Sequence, residues 1–195
     1  MARPTTSFVL GSTAEVTVLF RGYVGKRVAS TVSYVRDGRF RAVVDPGMVP
    51  SPRAILDPLA RARVRPDDIT DIVISHHHPD HTLNAALFPN ARVHDFWATY
   101  CADRWDSIPA EGRRLAPSVL LWETPGHTPQ DITTLVGTPK GIVALTHLWW
   151  NRGGPTPDPL ASDERSIEHH RERVLAVADR VVPGHGAPFR VRRPR

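Results

Sequence analysis

Ile72-Val73-Ile74-Ser75, running directly into His76-His77-His78-Pro79-Asp80-His81, is the stretch whose reading decides the fold. The short apolar run reads as a buried strand. A helix is expected to follow from about Thr82. Four histidines and an aspartate at the end of a buried strand are an unusual density of metal ligands. Two ligands two residues apart, His76 and His78, can reach one cation from an extended or tightly turned backbone. The next pair, Asp80 and His81, can reach a second cation close by. His77 faces away from its neighbours if the segment is extended, so it is not expected to be a ligand.

Upstream, Ala14–Phe20 and Arg27–Val35 are rich in β-branched residues and read as antiparallel strands around Gly22 and Gly25. Arg39–Val44 returns from the Asp37-Gly38 turn and stops at Asp45-Pro46-Gly47. Ser51-Pro52 reads as a helix start, with Ser51 as cap and Pro52 at the first helical position. Ile55, Leu56 and Leu59 give that helix its apolar face. Asp103–Pro117 reads as a surface loop. Downstream, Val119–Trp122, Ile132–Val136 and Gly141–Thr146 read as strands, Ser162–Ala178 as a helix, and Val181-Val182 as a last strand. The helix is expected to bury Ile167, His170, Val174, Leu175 and Ala178, leaving His169 in solvent.

Three more histidines fall where expected strands end. His127 lies in Thr124-Pro125-Gly126-His127-Thr128, His147 follows Gly141–Thr146, and His185 lies in Pro183-Gly184-His185-Gly186. Strand ends are where sites assemble in layered α/β folds, and a glycine beside a ligand allows close backbone approach.

Together these motifs resemble the metallo-β-lactamase superfamily: H-x-H-x-D-H at 76–81, T-P-G-H-T at 124–128, P-G-H-G at 183–186, and the strand-ending Asp45-Pro46-Gly47. The resemblance runs from about residue 15 to residue 192. It implies one domain over 1–195, an α/β fold of the four-layer αββα sandwich type, with the site at one edge. It implies His76, His78 and His127 around a first metal and Asp80, His81 and His185 around a second, with Asp80 also the catalytic carboxylate. Where the family has a bridging aspartate in Gly-Asp, this chain has Thr146-His147. A carboxylate can bridge two cations, whereas a neutral imidazole offers one lone pair, and the exchange removes a negative charge. Three outcomes stay open: His147 ligates one ion of a dinuclear site, the site holds one ion, or catalysis is lost and the fold is kept for binding.

An all-nitrogen and oxygen ligand set suits one or two zinc ions first, with iron or manganese as alternatives. The chemistry implied is attack of a metal-bound hydroxide on an ester, amide or phosphodiester. An endoribonuclease or phosphodiesterase is the alternative, and a non-catalytic metal- or ligand-binding protein the second. Expected partners are a small-molecule or RNA substrate, with a homodimer as the assembly and no membrane.

Composition agrees with a globular protein: 195 residues, 41% hydrophobic and 23% charged. No apolar run approaches the roughly 20 residues of a membrane span, and Met1–Val16 lacks a signal-peptide core, so the expected location is cytoplasmic. The single cysteine, Cys101, excludes an intramolecular disulfide and a cysteine-based zinc cluster; with no motif around it, it reads as inert. The net charge of +5 is carried mostly by arginine; with two lysines and 19 prolines it reads first as compositional bias, and contact of the Arg190–Arg195 tail with a polyanion is the lesser reading. Asp45 is a candidate partner for a metal-binding imidazole, His94 is expected to be structural, and Trp149 and Trp150 to wall the cleft.

Overall fold

The computed structural model describes residues 10–192; the N-terminal stretch up to residue 9 and the last three residues of the arginine tail lie outside the described residues. A first sheet orders β1 (Glu15–Phe20), β2 (Val32–Asp37), β3 (Phe40–Val44), β4 (Asp71–Val73), β5 (Arg92–His94), β6 (Ala98–Cys101) and β7 (Arg104–Ser107) in sequence. The second contains β8 (Arg114–Ala116), β9 (Val119–Glu123), β10 (Ile132–Thr138), β11 (Gly141–Thr146), β12 (Arg180–Pro183) and β13 (Phe189–Arg190), from β13 at one edge to β8 at the other. The described residues also hold three α-helices, α1 (Arg53–Arg61), the single-turn α2 (Pro79–Thr82) and α3 (Glu164–Leu175), and two short 3-10 turns at Pro66–Asp68 and Ala85–Leu87.

Strand periodicity builds the layers. Alternate residues of a strand face opposite sides, and here both sides are apolar. Phe40, Ala42, Val44 and Val73 of the first sheet meet Val119, Leu121, Ile132, Val136, Leu145 and Val182 of the second in a central core. The intervening residues face outward. Val32, Tyr34, Val43 and Ile72 pack beneath Ile55 and Leu59 of α1. Leu120, Trp122, Leu135, Ala144 and Val181 pack beneath Ile167 and Val174 of α3. The order of layers is therefore helix, sheet, sheet, helix, as the sequence led us to expect. Ile55 and Leu59 are fully buried, and each is worth about 1.5–3 kcal/mol of transfer free energy.

Strand direction places the site. β3, β4 and β5 are mutually parallel. β9 and β11 share a direction because both are antiparallel to β10, and β12 is parallel to β11. The loops after β4, β9, β11 and β12 carry the histidines to one edge. There the two sheets are joined by backbone hydrogen bonds, Thr31 N to Gly184 O at 2.7 Å and Ile132 N to Ser75 O at 2.8 Å.

Several expectations are corrected. The strand from Arg27 begins only at Val32, because Tyr23 and Ala29 pair first in a local bridge. Ser51 supplies no capping side chain: α1 starts at Arg53 after Pro52, and Ser51 contributes its carbonyl to Ala54 N. Helix ends where it was expected to begin near Thr82, since Pro79 sits at the first position of α2. Asp103–Pro117 is not a bare loop; it holds β7 and β8, whose exposed Arg104, Trp105 and Arg114 carry no clear alternation of apolar residues. On α3 the buried positions are Ile167, Arg171 and Val174, while Leu175 is 37% exposed and His170 only half-buried. Arg171 holds its place because its guanidinium reaches three acceptors: Leu148 O at 2.8 Å, Pro155 O at 3.2 Å and Thr156 Oγ1 at 3.3 Å.

Candidate metal centre

His76 and His78 follow β4, His127 follows β9, and their ring nitrogens converge. His76 Nε2 lies 3.0 Å from His78 Nδ1, and His127 Nε2 lies 3.2 Å from the same atom. Asp80 and His81 sit on α2, at the mouth of the same edge. Asp80 Oδ2 is 3.3 Å from His81 Nε2 and 3.5 Å from His185 Nε2. His147 stands among these groups, with its ring centroid 4.2 Å from that of His127, 4.5 Å from His76, 4.8 Å from His81 and 5.1 Å from His185. Three groups result that could hold a metal ion: His76, His78 and His127; Asp80, His81 and His185; and His76, His81 and His147.

Four of the rings are aimed by a partner on the far side. His127 Nδ1 donates to Asp158 Oδ2 at 3.0 Å, His81 Nδ1 to Asp45 Oδ2 at 2.9 Å, and His185 Nδ1 to Ala29 O at 2.8 Å. Ser75 Oγ spends its proton on Asp45 Oδ2 at 2.8 Å, so its contact with His76 Nδ1 at 3.2 Å is one it accepts. With Nδ1 protonated in all four, Nε2 is the atom turned inward, and on His76, His127 and His185 it carries the lone pair. A histidine ligand whose other nitrogen donates outward is the arrangement that fixes its tautomer and orientation.

Asp45 anchors both His76, through Ser75, and His81 directly. It adopts φ of 52°, a left-handed conformation that aspartate tolerates better than most residues. Ser75 N donates to its Oδ1 at 2.7 Å, so the strained turn is fixed from the next strand. Two glycines make the close approaches possible. A Cβ on Gly47 would strike the Asp80 carbonyl at 1.6 Å, and one on Gly184 would come within 2.3 Å of His147 Cδ2.

These residues fit a divalent cation. The lone pairs of His76 and His127 both address His78 Nδ1, where one proton can satisfy only one of them. Nitrogens 3.0 and 3.2 Å apart are close to the spacing of about 3.3 Å set by tetrahedral Zn–N bonds of about 2.0–2.1 Å. His147 Nδ1 is buried without a hydrogen-bond partner, a costly state for a polar atom, and His81 Nε2 has only Asp80 Oδ2 at 3.3 Å.

Electrostatics within the cluster points the same way. Burial and then the neighbouring imidazoles, His81 first, hold His76 well below its ordinary value. Burial and the surrounding rings do the same to His147. Burial would also lower His81, but the charge and hydrogen bond of Asp45, followed by Asp80, push it up to about 9. Burial works against ionisation of Asp80, yet His81 draws it down to about 2. One imidazolium thus occupies the ground that a cation would take over.

The remaining expected residues separate clearly. His77 turns away and meets Asp95 Oδ2 at 3.0 Å. His94 is buried between Asp71 Oδ1 at 2.7 Å and Thr99 Oγ1 at 2.9 Å, a structural role. His169 is exposed, as is Cys101 at the end of β6. The two tryptophans divide: Trp149 is core, packed on Phe189, while Trp150 stands 6.1 Å from His127, 6.4 Å from His147 and 6.2 Å from His185. Two carboxylates were missed. Asp158 is buried in a proline-rich loop that gives no pattern to read. Asp131 accepts from Thr128 N at 2.8 Å and Thr128 Oγ1 at 2.6 Å, closing the turn that carries His127; burial pushes it up to about 7. Its signal was the Thr-x-x-Asp spacing after His127.

The profile of the metallo-beta-lactamase superfamily matches residues 25–186, and the chain belongs to that superfamily, whose members are mostly hydrolases. Among individual relatives, the human "Metallo-beta-lactamase domain-containing protein 1" is 40% identical over 163 residues, 77% of this chain and 60% of the relative. The matched region thus spans about three fifths of that protein's length. A crystal structure described as a metallo-beta-lactamase from Thermotoga maritima superposes with a TM-score of 0.75 at 23% identity, covering 91% of this chain and 99% of that one. An N-acyl homoserine lactone hydrolase with N-hexanoyl-L-homoserine at its catalytic metal centre superposes with a TM-score of 0.68 at 18% identity, covering 91% and 94%. These likenesses are of fold. Among the described residues no helix is long and apolar enough to cross a membrane.

Proposed function

We propose that this chain, folded as one domain over 1–195, is a metal-dependent hydrolase. One observation carries the reading: two buried, outwardly anchored imidazoles, His76 and His127, direct their lone pairs at a third nitrogen, on His78. His76, His78 and His127 would hold one cation, Asp80, His81 and His185 a second, and His147 a coordination position between them. Zinc is the first choice for this donor set, with iron or manganese next. When bound, such a cation supplies a Lewis acid and a water that ionises near neutral pH.

The chain's own groups do the rest. Asp80, drawn down to about 2, is ionised across the working range and can orient a water by accepting its hydrogen bond at Oδ2. Asp45 keeps His81 and Ser75 in place. Trp150 walls the rings of His127, His147 and His185 against bulk water. Ester, amide and lactone carbonyls are the first substrate class. A phosphodiester, RNA included, is the second reading. It is favoured by an arginine-bearing cleft of about 670 Å³ lined by Asn151, Arg152, Pro188, Phe189, Arg190 and Arg192, residues that follow Trp150 and His185 along the chain. A binding protein without turnover is the third. Location in the cytoplasm and a homodimeric assembly accompany the proposal.

The test combines elemental analysis of the purified chain with a panel of p-nitrophenyl acetate, a lactone and bis(p-nitrophenyl) phosphate. At least one equivalent of metal, with turnover abolished by chelator and restored by zinc, is expected. Affinity for RNA that falls steeply with salt would favour the second reading. Stoichiometric metal without any turnover would leave the binding protein, and a chain that takes up no metal would refute the proposal.

A further inference from the structure

Asp158 is the residue of this site that no motif announced. It is 6% exposed, lies in the loop between β11 and α3, and its Oδ2 receives two donors: His127 Nδ1 at 3.0 Å and Trp150 Nε1 at 2.8 Å. One oxygen thus fixes a candidate metal ligand and the aromatic wall beside it. We propose that Asp158 is the positioning residue of the His127 half of the centre, holding that imidazole in the tautomer that presents Nε2 to a cation while setting the place of Trp150 over the cleft. The inference rests on the reading of the histidine cluster as a metal centre.

Three observations make the carboxylate a built element rather than a chance contact. First, the group is fully engaged. Oδ1 accepts from Leu160 N at 2.9 Å, and its own backbone N donates to Glu164 Oε2 at 3.0 Å, which ties it to the first turn of α3. Its rotamer has no freedom left to follow His127, so the ring must follow the carboxylate. Second, the loop that presents it is pinned from below. Arg171, nearly buried on α3, reaches Pro155 O, Thr156 Oγ1 and Leu148 O with one guanidinium. That clamp ties Leu148 to Pro155 and Thr156, so the loop between His147 and Asp158 is held at both of its ends. Third, the chemistry is directional. A carboxylate accepts, and all three hydrogens its two oxygens receive come from nitrogens, those of His127, Trp150 and Leu160. His127 is therefore left with its lone pair on Nε2, the atom facing His78 at 3.2 Å.

The consequence is a division of labour between two carboxylates. Asp45 orients His76 and His81, on the side of the first sheet, and Asp158 orients His127, on the side of the second. Removing an outer partner of a metal-bound histidine costs about 10–100-fold in metal affinity. An amide in place of Asp158 has a single oxygen for the two places that now accept, so its NH2 meets an N–H either at His127 and Trp150 or at Leu160, and the ring loses its fixed acceptor or the loop its turn.

The experiment uses the full chain with zinc and with cobalt. Metal affinity is measured by chelator competition for the wild type, Asp158→Asn and Trp150→Phe, and the imidazole region is followed by ¹H–¹⁵N spectroscopy. Asp158→Asn is expected to weaken the tightest-binding equivalent by about 10–100-fold and to remove the slowly exchanging Nδ1–H resonance of His127. Trp150→Phe, which keeps the carboxylate, is expected to retain affinity within about threefold, because loss of one neutral donor is worth only about 0.5–1.5 kcal/mol. It keeps the inference open to refutation if the asparagine variant fails to fold: a Trp150→Phe chain lacking the Nδ1–H resonance would overturn it. So would a folded Asp158→Asn chain with wild-type affinity and an unchanged Nδ1–H resonance. A wild-type chain that binds neither metal would instead overturn the metal-centre reading on which the inference stands.

Discussion

His147→Asp tests what the histidine does at the centre of the cluster. The perturbation is nearly isosteric at the start of the side chain. Aspartate Oδ1 would take the place of the unpartnered His147 Nδ1, and Oδ2 that of Cδ2, the atom against which Gly184 is packed. The outer part of the ring, including the Nε2 that lies 3.2 Å from His185 Nε2, would be vacated for water. The electrostatic change is larger. Ring centroids 4.2 to 5.1 Å away belong to four histidines of the site. A unit negative charge at about 5 Å from a dication gains about 7 kcal/mol at an effective dielectric constant of about 20. Burying the carboxylate takes back several kcal/mol. A net gain of about 1.4–3 kcal/mol corresponds to about 10–100-fold tighter binding of the second cation. Calorimetric titration of the metal-free chain with zinc, read beside hydrolysis of the substrate panel, measures both effects. The variant is expected to bind a second equivalent more tightly and to turn over faster. Unchanged stoichiometry, affinity and rate would refute the argument from charge and bridging.

Three further outcomes follow from the same geometry. In chelator, stability should fall as pH rises from about 6.5 to about 9, because His81 binds its proton more tightly folded than unfolded; the loss is about 3 kcal/mol in urea unfolding. His76 and His147 act in the opposite sense but only below about pH 6.5. Asp45→Asn should remove most of the alkaline loss, and stability that rises over that window would contradict a charged His81. Gly184→Ala should cost about 1–3 kcal/mol and lower metal content, since its Cβ would fall 2.3 Å from His147 Cδ2; thermal unfolding and elemental analysis report both, and a neutral result would mean that the ring has room to move. Arg171→Leu, which strands the carbonyls of Leu148 and Pro155, should cost about 2–5 kcal/mol in denaturant unfolding, whereas a change under about 0.5 kcal/mol would show that the clamp carries no weight.

What could be read from the chain was set by how local the physics is. The apolar runs at 72–75, 119–122 and 141–146 announced strands because burial on both faces leaves no polar interruption. The histidines after them were legible because ligands cluster at strand ends. β7 and β8 were not legible, since edge strands with charged, exposed residues have no period to detect. Arg171 was overlooked because a buried arginine is explained only by acceptors arriving from distant loops. Asp158 was overlooked for the same reason: its partner His127 lies 31 positions earlier, and nothing near it in sequence marks it.

The two inter-sheet backbone hydrogen bonds at this edge, Thr31 to Gly184 and Ile132 to Ser75, have a thermodynamic corollary. His76, His78 and His81 come from one half of the sandwich, and His127, His147 and His185 from the other, so neither half alone can complete a coordination sphere. Ion affinity therefore reports docking of the halves: any cation that binds here selects the assembled sandwich over separated sheets, and any strain that pries the rim apart is felt first as a weaker grip on the ion.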